Sequence, residues 1–193
     1  MKYFNVGVKK NTKNNIFGLL ILLMLISSCS DSSQREAETF IIEEGYIGSF
    51  HIIHGIRNGQ KRNENNGARI YEIPKNGILV TQMTENQGSI EGGKIKFYYR
   101  NSNNELSKIT DHWTTSLKDN PENRADKKIR IFGGSFGELE SIYVDCKLLT
   151  QSFYVGTKEN VLEGTNFFEM IDFLKNNKID CTGLETSSIS KQN

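Results

Sequence analysis

Along most of the chain, apolar and polar positions alternate with a period of two. In residues 48–56 (GSFHIIHGI), Phe50, Ile52 and Ile56 share one face. In residues 94–100 (KIKFYYR), Ile95, Phe97 and Tyr99 face one way and Lys94, Lys96, Tyr98 and Arg100 the other. In residues 141–149 (SIYVDCKLL), the inward set is Ile142, Val144, Cys146 and Leu148. Such alternation predicts half-buried strands. Shorter stretches predict further strands at 39–42, 69–73, 78–82, 106–110, 128–132 and 152–155. The breaks carry turn chemistry. Asn58-Gly59, Asn66-Gly67 and Asn76-Gly77 tolerate positive φ. Pro74 cannot donate to a ladder, and 101–104 is a polar turn.

One late segment has another rhythm. In residues 166–176 (NFFEMIDFLKN), Phe167, Met170, Ile171 and Leu174 fall on one helical face. Asn166 with Glu169 reads as a helix start, and Lys175 suits the end. Many short strands with one late helix predict a mostly β fold, an antiparallel β-sandwich with a single C-terminal amphipathic helix.

The amino terminus is organised differently. Lys2, Lys9, Lys10 and Lys13 precede an apolar run over residues 16–26, and Ser27-Ser28-Cys29-Ser30 follows. A basic segment, a short apolar core and small residues make a secretory signal. The run is too short for a lasting membrane span, which needs roughly 20 apolar residues. Leu25-Ile26-Ser27-Ser28-Cys29 resembles the lipobox of bacterial lipoproteins, in which the cysteine thiol is acylated and the chain is cut just before it. The resemblance implies that Cys29 becomes a lipid-bearing first residue. Several acyl chains give the stable anchoring that one chain does not. The expected organisation is a lipoprotein signal peptide (1–28), a polar tether (29–38), one β-rich domain (39–184) and a disordered tail (185–193).

Removing the signal leaves 20 basic against 23 acidic residues, a net charge of about −3. A slightly acidic domain without a basic stripe is not expected to bind nucleic acid. The other cysteines, Cys146 and Cys181, can pair in an oxidising compartment. A loop of about 35 residues would then stabilise the fold by roughly 4 kcal/mol. Two buried free thiols are the alternative.

The candidate chemistry is sparse. Gly133-Gly134-Ser135-Phe136-Gly137 matches the letters of a hydrolase nucleophile elbow. A strand-like pattern follows Ser135 where an elbow needs a helix, and His51, His54 and His112 all precede it. A hairpin turn between two strands is the expectation. His51 and His54 are three apart on a strand, on opposite faces, so they cannot chelate together. One is expected to face solvent and the other to sit near the core edge. Arg62 occupies the position where a calcium loop begins with an acid. Trp113 follows Asp111-His112 and is expected to be a buried structural residue; the alternative is an exposed ring that, with Tyr98 or Tyr154, would stack on a sugar. No metal and no cofactor is expected.

Three segments carry a family resemblance: residues 40–48 (FIIEEGYIG), 69–81 (RIYEIPKNGILVT) and 153–159 (FYVGTKE). Together they are similar to a family of small bacterial lipoproteins of Bacteroidetes type, built on a domain of unknown function. Glu43 stands where that pattern places a proline. The resemblance implies a single lipid-anchored domain and supplies no catalytic residues. The expected function is a lipid-anchored cell-envelope protein, a non-catalytic binding or structural module. It would sit in the outer membrane rather than the inner, on the periplasmic or the surface side, with an envelope protein or glycan as partner. The alternatives are a hydrolase using Ser135, with His51 and Asp111 as the nearest formal partners, and a carbohydrate-binding module using Trp113.

Overall fold

A computed structural model describes residues 35–88, 93–109, 112–113 (backbone), 116–167 and 170–184. The described residues form ten strands in two five-stranded sheets. In chain order they are β1 (Ala37–Glu43), β2 (Gly48–His54), β3 (Glu64–Asn65), β4 (Ala68–Glu72), β5 (Ile78–Val80), β6 (Ile95–Arg100), β7 (Leu106–Ile109), β8 (His112–Trp113), β9 (Arg130–Leu139) and β10 (Leu148–Gly156). Three short helices are α1 (Pro121–Ala125), α2 (Lys158–Glu163) and α3 (Met170–Asn176). The first sheet runs β3-β4-β1-β6-β7 and the second β5-β2-β10-β9-β8.

The mostly β sandwich expected from the alternation is present, but its sheets are mixed. β1 pairs in parallel with β4 and β6, β2 with β5, and β8 with β9. Between β1 and β4, β1 and β6, and β2 and β5 the chain visits the other sheet and returns in the same direction, whereas β8 leads to β9 through α1. Local hairpins remain antiparallel. Asn66 and Gly67 both take positive φ (50° and 73°), which suits the two-residue turn joining β3 to β4.

Between the sheets lies an aromatic core. Tyr71, Phe40, Phe97 and Ile109 form one row across the first sheet. Phe50, Ile52, Phe153, Val155 and Ile131 face them from the second. The Phe40 ring stacks on Tyr71 and on Phe97, with centroids 4.9 Å away in each case, and lies 5.1 Å from Phe153. A second cluster covers the other face of the second sheet. Ile53, Ile78, Val144, Cys146 and Leu148 pack there with Leu174 of α3. Ile56 joins this cluster and not the face of Phe50 and Ile52, because Gly55 at φ 74° breaks the alternation after β2.

Three expectations are corrected. Residues 141–145 form a turn, so Ile142 is half exposed while Val144, Cys146 and Leu148 stay buried. The Gly133–Gly137 stretch is not that turn but lies inside β9. There the register slips from Ser152↔Ser135 to Phe153↔Gly133 and leaves Gly134 as the extra residue of a bulge. The left-handed φ of Gly133 and Gly134 (87° and 103°) is what makes glycine fit here. The late helix begins at Met170 rather than Asn166. Asn166 has φ 52°, and its amide donates to the Ile47 carbonyl. Met170, Phe173 and Leu174 form the buried face, while Phe167 and Ile171 are exposed.

The domain also begins earlier than position 39. Ala37 and Glu38 belong to β1, and Glu38 is fully buried. Arg35 meets its carboxylate at 2.5 Å, and the Tyr71 hydroxyl donates to it at 3.3 Å. Next to this pair, Glu36 accepts from buried Arg69 (2.8 Å) and from Arg62 (2.7 Å). Arg69 also donates to the Thr84 carbonyl, and the Asn86 amide bridges the Glu36 backbone. These charges replace their hydration with fixed partners, as buried ions must. They lock the start of β1 to residues 84–86.

Candidate functional site

At the mouth of the sandwich nearest this lock is a cleft of about 310 Å³ lined by His54, Gly55, Thr84, Glu85, Glu138, Lys147, Leu149, Gly183 and Leu184. Its floor is a cross-strand row. His54 of β2 stands opposite Leu149 of β10, and Leu149 opposite Glu138 of β9. The next row inward is Ile52, Gln151 and Phe136. The Phe136 ring is half exposed and lies 5.7 Å from the His54 ring. Thr84 and Glu85 form one wall, positioned through Arg69. Gly183 and Leu184 form another. The bond between Cys146 and Cys181 fixes that wall by joining the two residues. Asn58 also holds it through the Lys178 carbonyl and the Asp180 amide.

His54 is buried, and neither ring nitrogen completes a hydrogen bond of good geometry. The Met83 backbone and the Gln151 side chain face it without closing one. Burial, helped by Arg69, pushes its pKa down to about 4, against the weaker pull of Met83, Gln151 and Glu85. The neutral ring is thus the form that fits the fold. The unfolded chain takes up a proton near pH 6.5, which the folded chain accepts only near pH 4. The stabilisation is full above pH 6.5 and is lost as pH falls through 4. The expected loss between pH 7.5 and pH 4 is on the order of 2–3 kcal/mol. Urea unfolding of wild type and His54→Gln at both pH values checks this. The wild type should lose that much more than the variant, and parallel losses would remove His54 as the cause.

The other sequence candidates fall as follows. His51 lies on the opposite face of β2 from His54, as strand alternation requires. Its Nδ1 is 2.8 Å from the Ser152 hydroxyl. Ser135 sits next in that row, opposite Ser152, with strand on both sides of it. The strand-to-helix geometry of a nucleophile elbow is therefore absent. Asp111 lies outside the described residues. Trp113 is described through its backbone, in register with Phe132 and, through it, Tyr154. Tyr154 is buried under Phe167, with its hydroxyl donating to the Thr165 carbonyl, so it offers no free face for a sugar. Tyr98 lies on β6, in the other sheet from Trp113. Cys29, the signal segment and the 185–193 tail lie outside the described residues. Among the described residues no group of His, Cys, Asp and Glu is placed to hold a metal ion. No helix among them is long and apolar enough to cross a membrane.

Sequence reasoning did not assemble this cleft, which draws on five separate segments. One signal pointed to its floor: His54 has the parity of Phe50 and Ile52, so it belongs to the inner face where β2 reaches the mouth.

Fold and site together define a two-sheet β domain with a small cleft of mixed polarity at one end. The chain belongs to a family of unknown function, DUF6843, whose model matches residues 34–133. That match runs from the start of β1 into β9. The chain matches no curated protein in sequence. Among solved structures it is similar to a candidate lipoprotein from Bacillus anthracis, at 13% identity and a TM-score of 0.47, over 69% of this chain and 82% of that one.

Proposed function

We propose that this protein is a lipid-anchored component of the bacterial cell envelope, held by acyl groups on Cys29, whose β domain binds another envelope component without catalysis. The observation that carries the reading is the order of segments at the amino terminus. A basic stretch, an apolar run and Leu25-Ile26-Ser27-Ser28-Cys29 stand only six positions before Arg35, where the domain is locked in place. Six residues reach at most about 20 Å when fully extended. The cleft wall formed by Thr84 and Glu85 is fastened to that same entry point. An acylated Cys29 would hold the cleft near the membrane surface, as suits a module that meets envelope partners. The finer placement, a Bacteroidetes-type lipoprotein of the outer membrane, rests on the resemblance of residues 40–48, 69–81 and 153–159. The non-catalytic reading is supported by the position of Ser135 in the middle of a strand.

Intact mass of the protein purified from its native membrane tests the anchor. The expected mass is that of a chain starting at Cys29 plus acyl groups. Cys29→Ala should leave the membrane fraction with unchanged circular dichroism. A bare secreted mass, or stable membrane retention of the variant, would overturn the proposal.

A further inference from the structure

Among the described residues, much of the outer edge of β9 has no strand beside it. β9 runs for ten residues, yet β8 pairs only with Ile131 and Phe132. Residues 116–120 are described and carry no strand. Among the described residues, then, no strand lies beside Ser135–Leu139. An uncovered edge presents a row of backbone donors and acceptors. Natural edges are usually blunted by lysine, proline or an inward-pointing charge. This stretch, SFGEL, has no lysine and no proline; the Gly133-Gly134 bulge and the one charge, Glu138 on the inner face, guard it, and a partner strand must meet that charge. The bulge at Gly133-Gly134 sets it apart from the covered half of the strand.

We propose that this edge, together with the cleft beside it, binds an extended peptide segment of a partner by strand addition, with an apolar and a basic side chain two positions apart. This deepens the binding-module reading and does not depend on the anchor. A strand added to β9 places one residue in line with each existing row, and residues two apart point to the same face. The residue beside Phe136 meets a half-exposed ring over the core mouth, which favours an apolar side chain. The residue beside Glu138 extends the row His54–Leu149–Glu138 and meets its carboxylate, with Glu85 on the opposite wall of the cleft. Lys147, the basic group lining the cleft, is engaged by Glu140 at 3.8 Å. The charge left for a ligand is therefore acidic, which favours a basic side chain. Edge-to-edge pairing of two copies would bring both Glu138 carboxylates into one short ladder, which disfavours a second copy as the occupant.

Hydrogen exchange read by mass spectrometry, on the full chain in detergent, tests this with three synthetic peptides: Thr-Val-Thr-Lys-Thr, Thr-Val-Thr-Thr-Thr and Thr-Val-Thr-Glu-Thr. The lysine peptide should slow exchange within Ser135–Leu139 by about tenfold at saturation, since added ladder bonds cover the edge amides. It should bind about five- to tenfold more tightly than the glutamate peptide, as expected for a close charge pair at an interface rim. Glu138→Gln should abolish that preference and leave binding of the all-threonine peptide unchanged. N-methylation of alternate peptide amides on one edge should abolish protection, and on the other edge leave it intact. No protection by any peptide at millimolar concentration would overturn the proposal. So would protection that ignores N-methylation, protection outside this stretch, or protection that grows with protein concentration alone. The last would assign the edge to a second copy. All of these results leave the mass and membrane retention of the anchored form untouched, so the two readings fail separately.

Discussion

Truncating Phe40 to alanine is expected to lower the unfolding free energy by about 4 kcal/mol, the upper part of the range for a buried aromatic. Phe40 is fully buried at the centre of β1, the middle strand of its sheet. Its ring touches the first sheet on both sides, through Tyr71 and Phe97, and reaches the second sheet through Phe153 and Phe50. Alanine leaves a cavity among four rings held by two different sheets, so collapse cannot fill it. Each lost aromatic pair adds to the loss of buried area. A domain of this size is stable by about 5–15 kcal/mol, so the variant stays folded with little margin. Its melting temperature should fall by roughly 10 °C or more. Phe136→Ala is the control. That ring is half exposed at the cleft, and its removal should cost under about 1 kcal/mol. Equal denaturation midpoints for the two variants would show that Phe40 is not the keystone between the sheets.

How much of this was legible in the sequence depends on what each residue type advertises. The alternation in residues 95–100 gave a strand because Phe97 is buried between the sheets while Lys96 is exposed; in β2 it marked only the inner face of Phe50 and Ile52, since Ile53 on the other face is buried as well. The parallel pairing was not legible, because it comes from how the chain connects the strands and not from any one segment. The alternation from Ile142 onward continued into a turn. There Val144 and Cys146 are buried by α3 and the disulfide, contacts that local pattern cannot see. Gly133-Gly134 read as a hairpin turn because a bulge inside a strand needs the same left-handed glycines. The candidate site was the least visible part. Arg35, Glu36, Glu38 and Arg69 look like solvated residues in the sequence. Only the fold brings them close enough to satisfy one another, and only then do Thr84 and Glu85 become a wall. The anchor is the reverse case, plain in the linear order of residues 2–29.

Removing the disulfide, by the paired substitution Cys146→Ala and Cys181→Ala, is expected to cost about 4 kcal/mol. The bridge closes a loop spanning 35 positions, and on the chain-entropy model a loop of that length restricts the unfolded state by about that amount. The folded state should lose less, and in a particular place. Cys146 is buried beside Val144 and Leu148, where alanine still packs. Cys181 holds the segment that carries Gly183 and Leu184 to the cleft. The aromatic core between the sheets makes no contact with the bridge. The prediction is therefore twofold: a lower urea midpoint with an unchanged slope, and faster hydrogen exchange confined to residues 179–184 and the neighbouring turn. The two parts separate the causes. If the midpoint stays at the wild-type value, the entropic account is wrong for this loop. If exchange rises through β2 and β10 as well, the second cluster depends on the bridge for its packing, and the disulfide supports the sheet itself as well as the cleft wall.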